Sequence, residues 1–211
     1  MIIIWILAFA ITITIHEAAH AWMADRLGDP TARLAGRLSL NPIKHYDPVG
    51  TTLLLVLVIM RSVGIPVIPF GWAKPVPVDP YNLADPKKDS ALISIAGPLA
   101  NIALATILSI VLRLFSHEAL FPIFYPVILL NVALAVFNLI PVHPLDGGKV
   151  LTGFLPNKEA RELDLFFNRY GLIFLFFLIF PVFRGVSLIS VIITPVIGFI
   201  LNLLIPGFST I

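Results

Sequence analysis

His16 and His20 stand four apart in the run His16-Glu17-Ala18-Ala19-His20. On a helix of about 3.6 residues per turn, that spacing puts two imidazoles on one face, one turn apart. Imidazoles so placed can share a zinc ion, and Glu17 can polarise a water bound to it. Zinc lowers the pKa of such a water to about 7, which makes a nucleophile for a peptide carbonyl at neutral pH. On a soluble helix the pattern is only moderately specific, because the same residues can simply end a helix at a surface. Here it closes an apolar run in which Thr12 and Thr14 are the only polar residues before His16. An ionisable residue in mid-membrane costs roughly 2.5–3.5 kcal/mol, so a functional role is the default reading.

A hydrolytic zinc needs a third protein ligand. The chain has no Cys, so disulfides, thiolate ligands and thiol nucleophiles are excluded. Asp146 is the best candidate. It lies in NLIPVHPLDGG, Asn138 to Gly148, at the end of another apolar segment. Pro141 and Pro144 break the helix, and Gly147-Gly148 permit a sharp turn that can aim Asp146 back into a bundle. The plain alternative for an Asp-Gly pair is a surface turn.

Together, HEAAH in the first helix and NLIPVHPLDGG at a later helix end resemble the site-2 protease family of intramembrane zinc metalloproteases. The intervening GWAKPVPV and AGPLAN are also similar to it, so the likeness covers most of the chain. It is closest in kind to the compact members without appended PDZ or CBS domains. The resemblance implies one zinc per chain held by His16, His20 and Asp146, with Glu17 as the base. It also implies Asn138 as a support or oxyanion-stabilising residue. The implied substrate is a membrane-tethered regulatory protein, cleaved in or near a transmembrane helix.

Composition agrees with a membrane setting. Hydrophobic residues make up 58% of the 211 and charged residues 12%, against about 45–50% and about 25% in soluble domains. The expected fold is an all-α polytopic membrane protein, a single domain over 1–211, with about five to six transmembrane segments. The N-terminal run lacks a basic n-region and a clean cleavage site, so it reads as a retained helix. The net charge of +2 and pI of about 9.0 come from loop residues, which set orientation and do not point to nucleic acid.

The elements that must position the ligands follow from hydropathy and breakers. Apolar segments are expected at about 2–23, 49–68, 90–115, 122–142, 172–183 and 186–205, with an amphipathic connector at 157–169. The Pro-rich PFGWAKPVPVDPYN after Ile68 excludes helix and favours extended backbone. His20 and Asp146 both end membrane segments and must meet. That parity holds only if 49–68 turns back as a re-entrant, partly extended segment between the first helix and the 90–115 helix. Basic residues agree: only Arg113 and Arg184 of the 14 Lys and Arg then fall opposite the rest. A crossing at 49–68 would split them six against eight. The positive-inside rule therefore places the site towards the cytosolic face of a prokaryotic cell membrane, with the N-terminus outside.

Other residues carry less. Lys74 to Val78 can pair with an unwound substrate by strand addition, one-sidedly because Pro75 and Pro77 lack donors, or can be a plain loop. His143 reads as a neighbour of the metal more than as a fourth, inhibitory ligand. His45 and His117 read as solvated. Asn101, beside Gly97 and Ala100, reads as an interhelical hydrogen-bonding residue with a possible share in the site's polar network. Phe174, Phe176 and Phe177 read as lipid-facing or packing residues. The rival to a protease is a membrane metal transporter or metal-binding scaffold. A serine intramembrane protease is disfavoured, since no GxSxG elbow occurs. Oligomeric state is not legible.

Overall fold

A computed structural model describes residues 2–65, 71–115, 119–180 and 187–205. All regular structure among them is helical. Helix α1 spans Ile2–Arg26, and α2 is the single turn Thr31–Leu34. A 3-10 turn at Pro42–His45 leads into α3, Gly50–Ser62. A second 3-10 turn, Pro80–Asn82, precedes α4, Pro86–Phe115. Then come α5 (Phe121–Asn138), α6 (Asp146–Phe154), α7 (Asn157–Ile179) and α8 (Leu188–Leu204).

Three helices, α1, α4 and α5, have the length and hydropathy to cross a membrane; shorter apolar helices occupy 50–60 and 190–204. At about 1.5 Å per residue, the 25 residues of α1 reach roughly 37 Å, beyond the hydrocarbon thickness of about 30 Å. Helix α4 starts earlier than hydropathy suggests. Asp85 accepts from the Lys88 amide at 3.2 Å, and Asp89 accepts from the Asp85 amide at 2.9 Å, so two carboxylates cap the polar first turn. Helix α5 stops at Asn138, short of 142, as expected ahead of Pro141.

Helix α4 is central and packs on α1, α5 and α6. Small buried residues, Ala21 and Ala24 on α1 with Gly97 on α4, let α1 and α4 close up, and Ala91 of α4 packs on Gly153 of α6. Ala105 of α4, Ile128 and Val132 of α5 and Leu201 of α8 form an apolar core further along.

The segment after α1 turns back. The Lys74 amide donates to the His45 carbonyl at 3.0 Å. The Thr51 hydroxyl donates to the Trp72 carbonyl at 3.1 Å. The chain that leaves at Gly50 has thus returned to the same end by Gly71. The 13 residues of α3 reach only about 20 Å, short of a crossing. This is the expected re-entrant segment. Its extended part, 71–79, carries no regular structure; residues 66–70 lie outside the described set.

The C-terminal region corrects one expectation. Ser109 and Arg113, at the far end of α4, bond to the Leu204 carbonyl, with Arg113 Nε at 3.1 Å. Ser190 instead lies beside Phe137, near the Asn138 end of α5. Helix α8 therefore runs parallel to α4, from the site end outwards. Since α6 also lies at the site end, α6 and the start of α8 are on one side. The segment 172–183 was expected to cross and put Arg184 opposite. Instead its described part continues the charged 157–169 stretch as one helix, α7. Arg184 lies outside the described residues. Phe174, Phe176 and Phe177 face outward from α7, as expected.

Candidate metal centre

Helix α1 presents His16 and His20 on one buried face, with ring centroids 4.5 Å apart and planes at 89°. Their Nε2 atoms lie 3.0 Å apart. Asp146 is the first residue of α6, and its Oδ2 stands 3.1 Å from His16 Nε2 and 3.4 Å from His20 Nε2. The loop from Leu139 to Leu145 is folded by short backbone bonds, such as Val142 to Ile140 at 2.8 Å and Leu145 to Val142 at 2.9 Å. It lies so close under α6 that a Cβ at Gly147 would strike the Leu139 and Ile140 carbonyls. A Cβ at Gly97 would lie 2.5 Å from His20 Nε2. Glycine there lets α4 press against both imidazoles.

The far side of each ring is held. His20 Nδ1 lies 2.7 Å from the Ile93 carbonyl, and His16 Nδ1 lies 2.6 Å from Asn101 Oδ1. A carbonyl can only accept, so Nδ1 of His20 carries the proton and Nε2 keeps its lone pair. With His16 in the same state, three acceptors converge on one point. Asp146 Oδ2 is buried and has no hydrogen-bond partner among the described residues. Leaving a desolvated acceptor unpaired costs about 1–3 kcal/mol, so three of them call for a cation. Ligands about 2.0–2.1 Å from a tetrahedral zinc stand roughly 3.3 Å from one another, and the observed edges of 3.0, 3.1 and 3.4 Å fit that triangle. These three residues are the group with metal-ligand spacing among the described residues.

Glu17 is half-buried on the next face of α1, within electrostatic reach of His20 and Arg37. Arg37 is buried. One of its nitrogens donates to the Lys74 carbonyl and lies 3.4 Å from His45 Nδ1, while Nε and Nη1 have no partner among the described residues. His45 Nε2 lies 2.8 Å from the Ser39 carbonyl. These contacts pin the start of the extended segment to the loop that follows α1. Asp29 pins its continuation: Oδ2 accepts the Asp79 amide at 2.8 Å, and Oδ1 accepts Asn82 Nδ2 at 2.9 Å.

Of the expected site residues, His16, His20 and Asp146 are brought together, with Glu17 on the same helix. Asn138 is not joined to them by a hydrogen bond; its amide nitrogen donates to Leu134 of its own helix at 3.1 Å. His143 faces α7, 3.5 Å from Asp164, and is not among the three converging residues. The expectation of a solvated His45 is corrected: it is 1% exposed and bonded on both nitrogens. His117 lies outside the described residues. Arg37 and Asn131 were not singled out by sequence. Arg37 carries no signal that separates it from Arg33, whereas Asn131, an amide in the middle of an apolar helix, does.

Comparison with known proteins adds a family. The model for Peptidase family M50 matches residues 113–182, which include Asp146. A Bacillus subtilis protein named "Putative zinc metalloprotease YwhC" is 38% identical over 161 residues, 72% of this chain and 68% of its own. The Rip2 protein of Mycolicibacterium smegmatis, likewise named a zinc metalloprotease, is 32% identical over 76% of this chain and 61% of its own. Stage IV sporulation protein FB of Bacillus subtilis is 32% identical over 72% of this chain and 52% of its own. The chain thus spans from about half to just over two thirds of these relatives. No solved structure matches it.

Proposed function

The chain belongs to peptidase family M50 and is a membrane zinc metalloprotease, and we propose that it is an endopeptidase that cuts a substrate's membrane segment at the centre made by His16, His20 and Asp146. The observation that carries this reading is the convergence of three buried acceptors one residue from Glu17. When bound, zinc supplies Lewis-acid activation of water and of the scissile carbonyl. His16, His20 and Asp146 hold it, and the Asn101 side chain and Ile93 carbonyl aim the two rings. Glu17 accepts the proton of the attacking water and delivers it to the leaving amine. Asn138 would need to turn from Leu134 to assist the oxyanion, and it keeps that role as a proposal.

A helical substrate must unwind before its peptide bonds can react, because each is tied into its own hydrogen-bond ladder. The extended segment 74–78 supports a place for it. The Lys74 amide is taken by His45, and Pro75 and Pro77 have no N–H, so Val76 and Val78 offer the N–H groups. An apolar cleft of about 210 Å³ lies between α1 and α3, lined by Ile6, Phe9, Ile13, Thr14, Leu55 and His45 among others, and His45 is the residue that holds the Lys74 amide. On α1, Ile6, Ala10 and Ile13 form a stripe that continues to Glu17. The substrate class that fits is a membrane-tethered protein with an apolar, unwindable helix, and basic loops favour a cytosol-facing site in a prokaryotic cell membrane. The test is reconstitution in lipid with a model transmembrane substrate. Cleavage should stop on chelation and return with added zinc. Chelator-insensitive cleavage, or metal flux without cleavage, would overturn the reading in favour of another mechanism or a transporter.

A further inference from the structure

A file of buried amides stands behind His16, and it fits together in one orientation. The Val127 carbonyl can only accept, so the Asn131 atom 2.8 Å from it is the amide nitrogen. The same nitrogen donates to the Thr12 hydroxyl at 2.8 Å. Asn131 Oδ1 is thereby turned towards Asn101, whose amide nitrogen donates to it at 2.6 Å and to the Thr12 carbonyl at 3.0 Å. That carbonyl also can only accept. Asn101 must then offer Oδ1 to His16 Nδ1, 2.6 Å away. Hence Nδ1 bears the ring proton and Nε2 is bare towards Asp146.

We propose that Asn131 is a positioning residue of the metal centre: acting through Asn101, it locks His16 in the tautomer with hydrogen on Nδ1. The proposal rests on the reading of His16, His20 and Asp146 as zinc ligands. The Ile93 carbonyl does this task for His20 directly. For His16 the partner is an amide, and an amide can flip. A flipped Asn101 would aim its NH2 at Nδ1 and drive the proton to Nε2, where it blocks coordination. The Thr12 carbonyl holds one Asn101 N–H; Asn131 holds the other. Both Asn side chains are 0% exposed, so water cannot replace a lost partner. Outer partners of this kind typically change metal affinity about 10–100-fold when removed.

The experiment uses the full chain in lipid, with 15N-labelled imidazoles and no zinc. Five His residues keep the spectrum small, and loss of signals in His16→Ala assigns His16. The wild type should show His16 protonated on Nδ1. Asn131→Leu should show mixed tautomers and lose zinc affinity about 10–100-fold by chelator competition. Asn131→Asp keeps an acceptor for Asn101 and should keep the His16 proton on Nδ1, although its second oxygen then faces the Val127 carbonyl and lowers stability. A wild-type His16 protonated on Nε2 overturns the proposal. So does a folded Asn131→Leu protein with an unchanged His16 signal and zinc affinity. If Asn131→Leu does not fold, the wild-type spectrum and Asn131→Asp decide. Because the spectrum is read without zinc, a protein that binds no zinc yet shows the Nδ1 proton supports the lock while overturning the metal reading.

Discussion

Asp146 Oδ2 lies 3.1 Å from His16 Nε2, joining the start of α6 to the middle of α1 across a buried interface. Among the described residues it has no hydrogen-bond partner, so electrostatics as well as position support the ligand role proposed for this carboxylate. Asp146→Ala should therefore purify folded but with zinc content well below one per chain, read by elemental analysis. Stoichiometric zinc in that variant would remove Asp146 from the centre.

Glu17 should separate binding from chemistry. It is not one of the three converging acceptors, so Glu17→Gln should hold zinc as the wild type does. Loss of a general base costs roughly 10²–10⁴-fold in rate, and cleavage of a reconstituted substrate should fall by that much at unchanged zinc content. Wild-type turnover would show that the base lies elsewhere.

Gly97 sets how closely α4 approaches the ligands. An added Cβ would sit 2.5 Å from His20 Nε2 and 2.8 Å from His16 Cε1. Overpacking of this kind costs about 1–3 kcal/mol, and here the atoms pushed aside are the imidazoles themselves. Gly97→Ala should lower the melting temperature and weaken zinc binding together. Gly64 has open space around it but a φ of +89°, so Gly64→Ala should strain the backbone and leave zinc affinity untouched. Equal zinc affinities in the two variants would reject the close-approach argument.

Asp29 gives a pH signature outside the membrane helices. Burial alone would raise its pKa, but bonds from Thr31, Asn82 and the Asp79 amide outweigh burial and hold it below the ordinary 3.8. Its contribution to stability is thus present above 3.8 and fades as pH falls through the lower folded value. Hydrogen bonds to a charged group are worth about 1.5–3 kcal/mol each, so Asp29→Asn should destabilise at neutral pH by that order. Melting curves from pH 7 to pH 3 should then converge for wild type and variant. Curves that stay parallel would mean that the carboxylate charge does not hold the 79–82 turn.

The sequence made some of these features readable and hid others, for physical reasons. His16, His20 and Asp146 were legible because ligand chemistry restricts residue type and α-helical spacing restricts geometry. The return of the chain by Gly71 was legible because two ligands had to meet, which limits the number of crossings. His45 was misread because a polar loop sequence says nothing about whether Arg37 and Ser39 will fold over it. The direction of α8 was hidden because hydropathy marks a segment as apolar without saying where the preceding helix has ended. Asn131 needed its partners, since its role depends on three groups from α1, α4 and α5.

The re-entrant fold is the prediction on which the site depends most. If α3 crossed the membrane, Lys74 could not bond His45 and Arg37 could not reach the Lys74 carbonyl. The chain has no Cys, so single introduced cysteines report sidedness on a clean background. Leu34, Tyr81 and Phe154 are exposed on loops or short helices at the site end, and Leu114 is exposed at the far end of α4. With an impermeant maleimide, Leu34→Cys, Tyr81→Cys and Phe154→Cys should label from one side and Leu114→Cys from the other. A reporter fused after α8 should fall on the Leu114 side, because Leu204 meets Arg113 there. Opposite labelling of Leu34→Cys and Tyr81→Cys would place a crossing at α3 and separate the extended segment from Glu17.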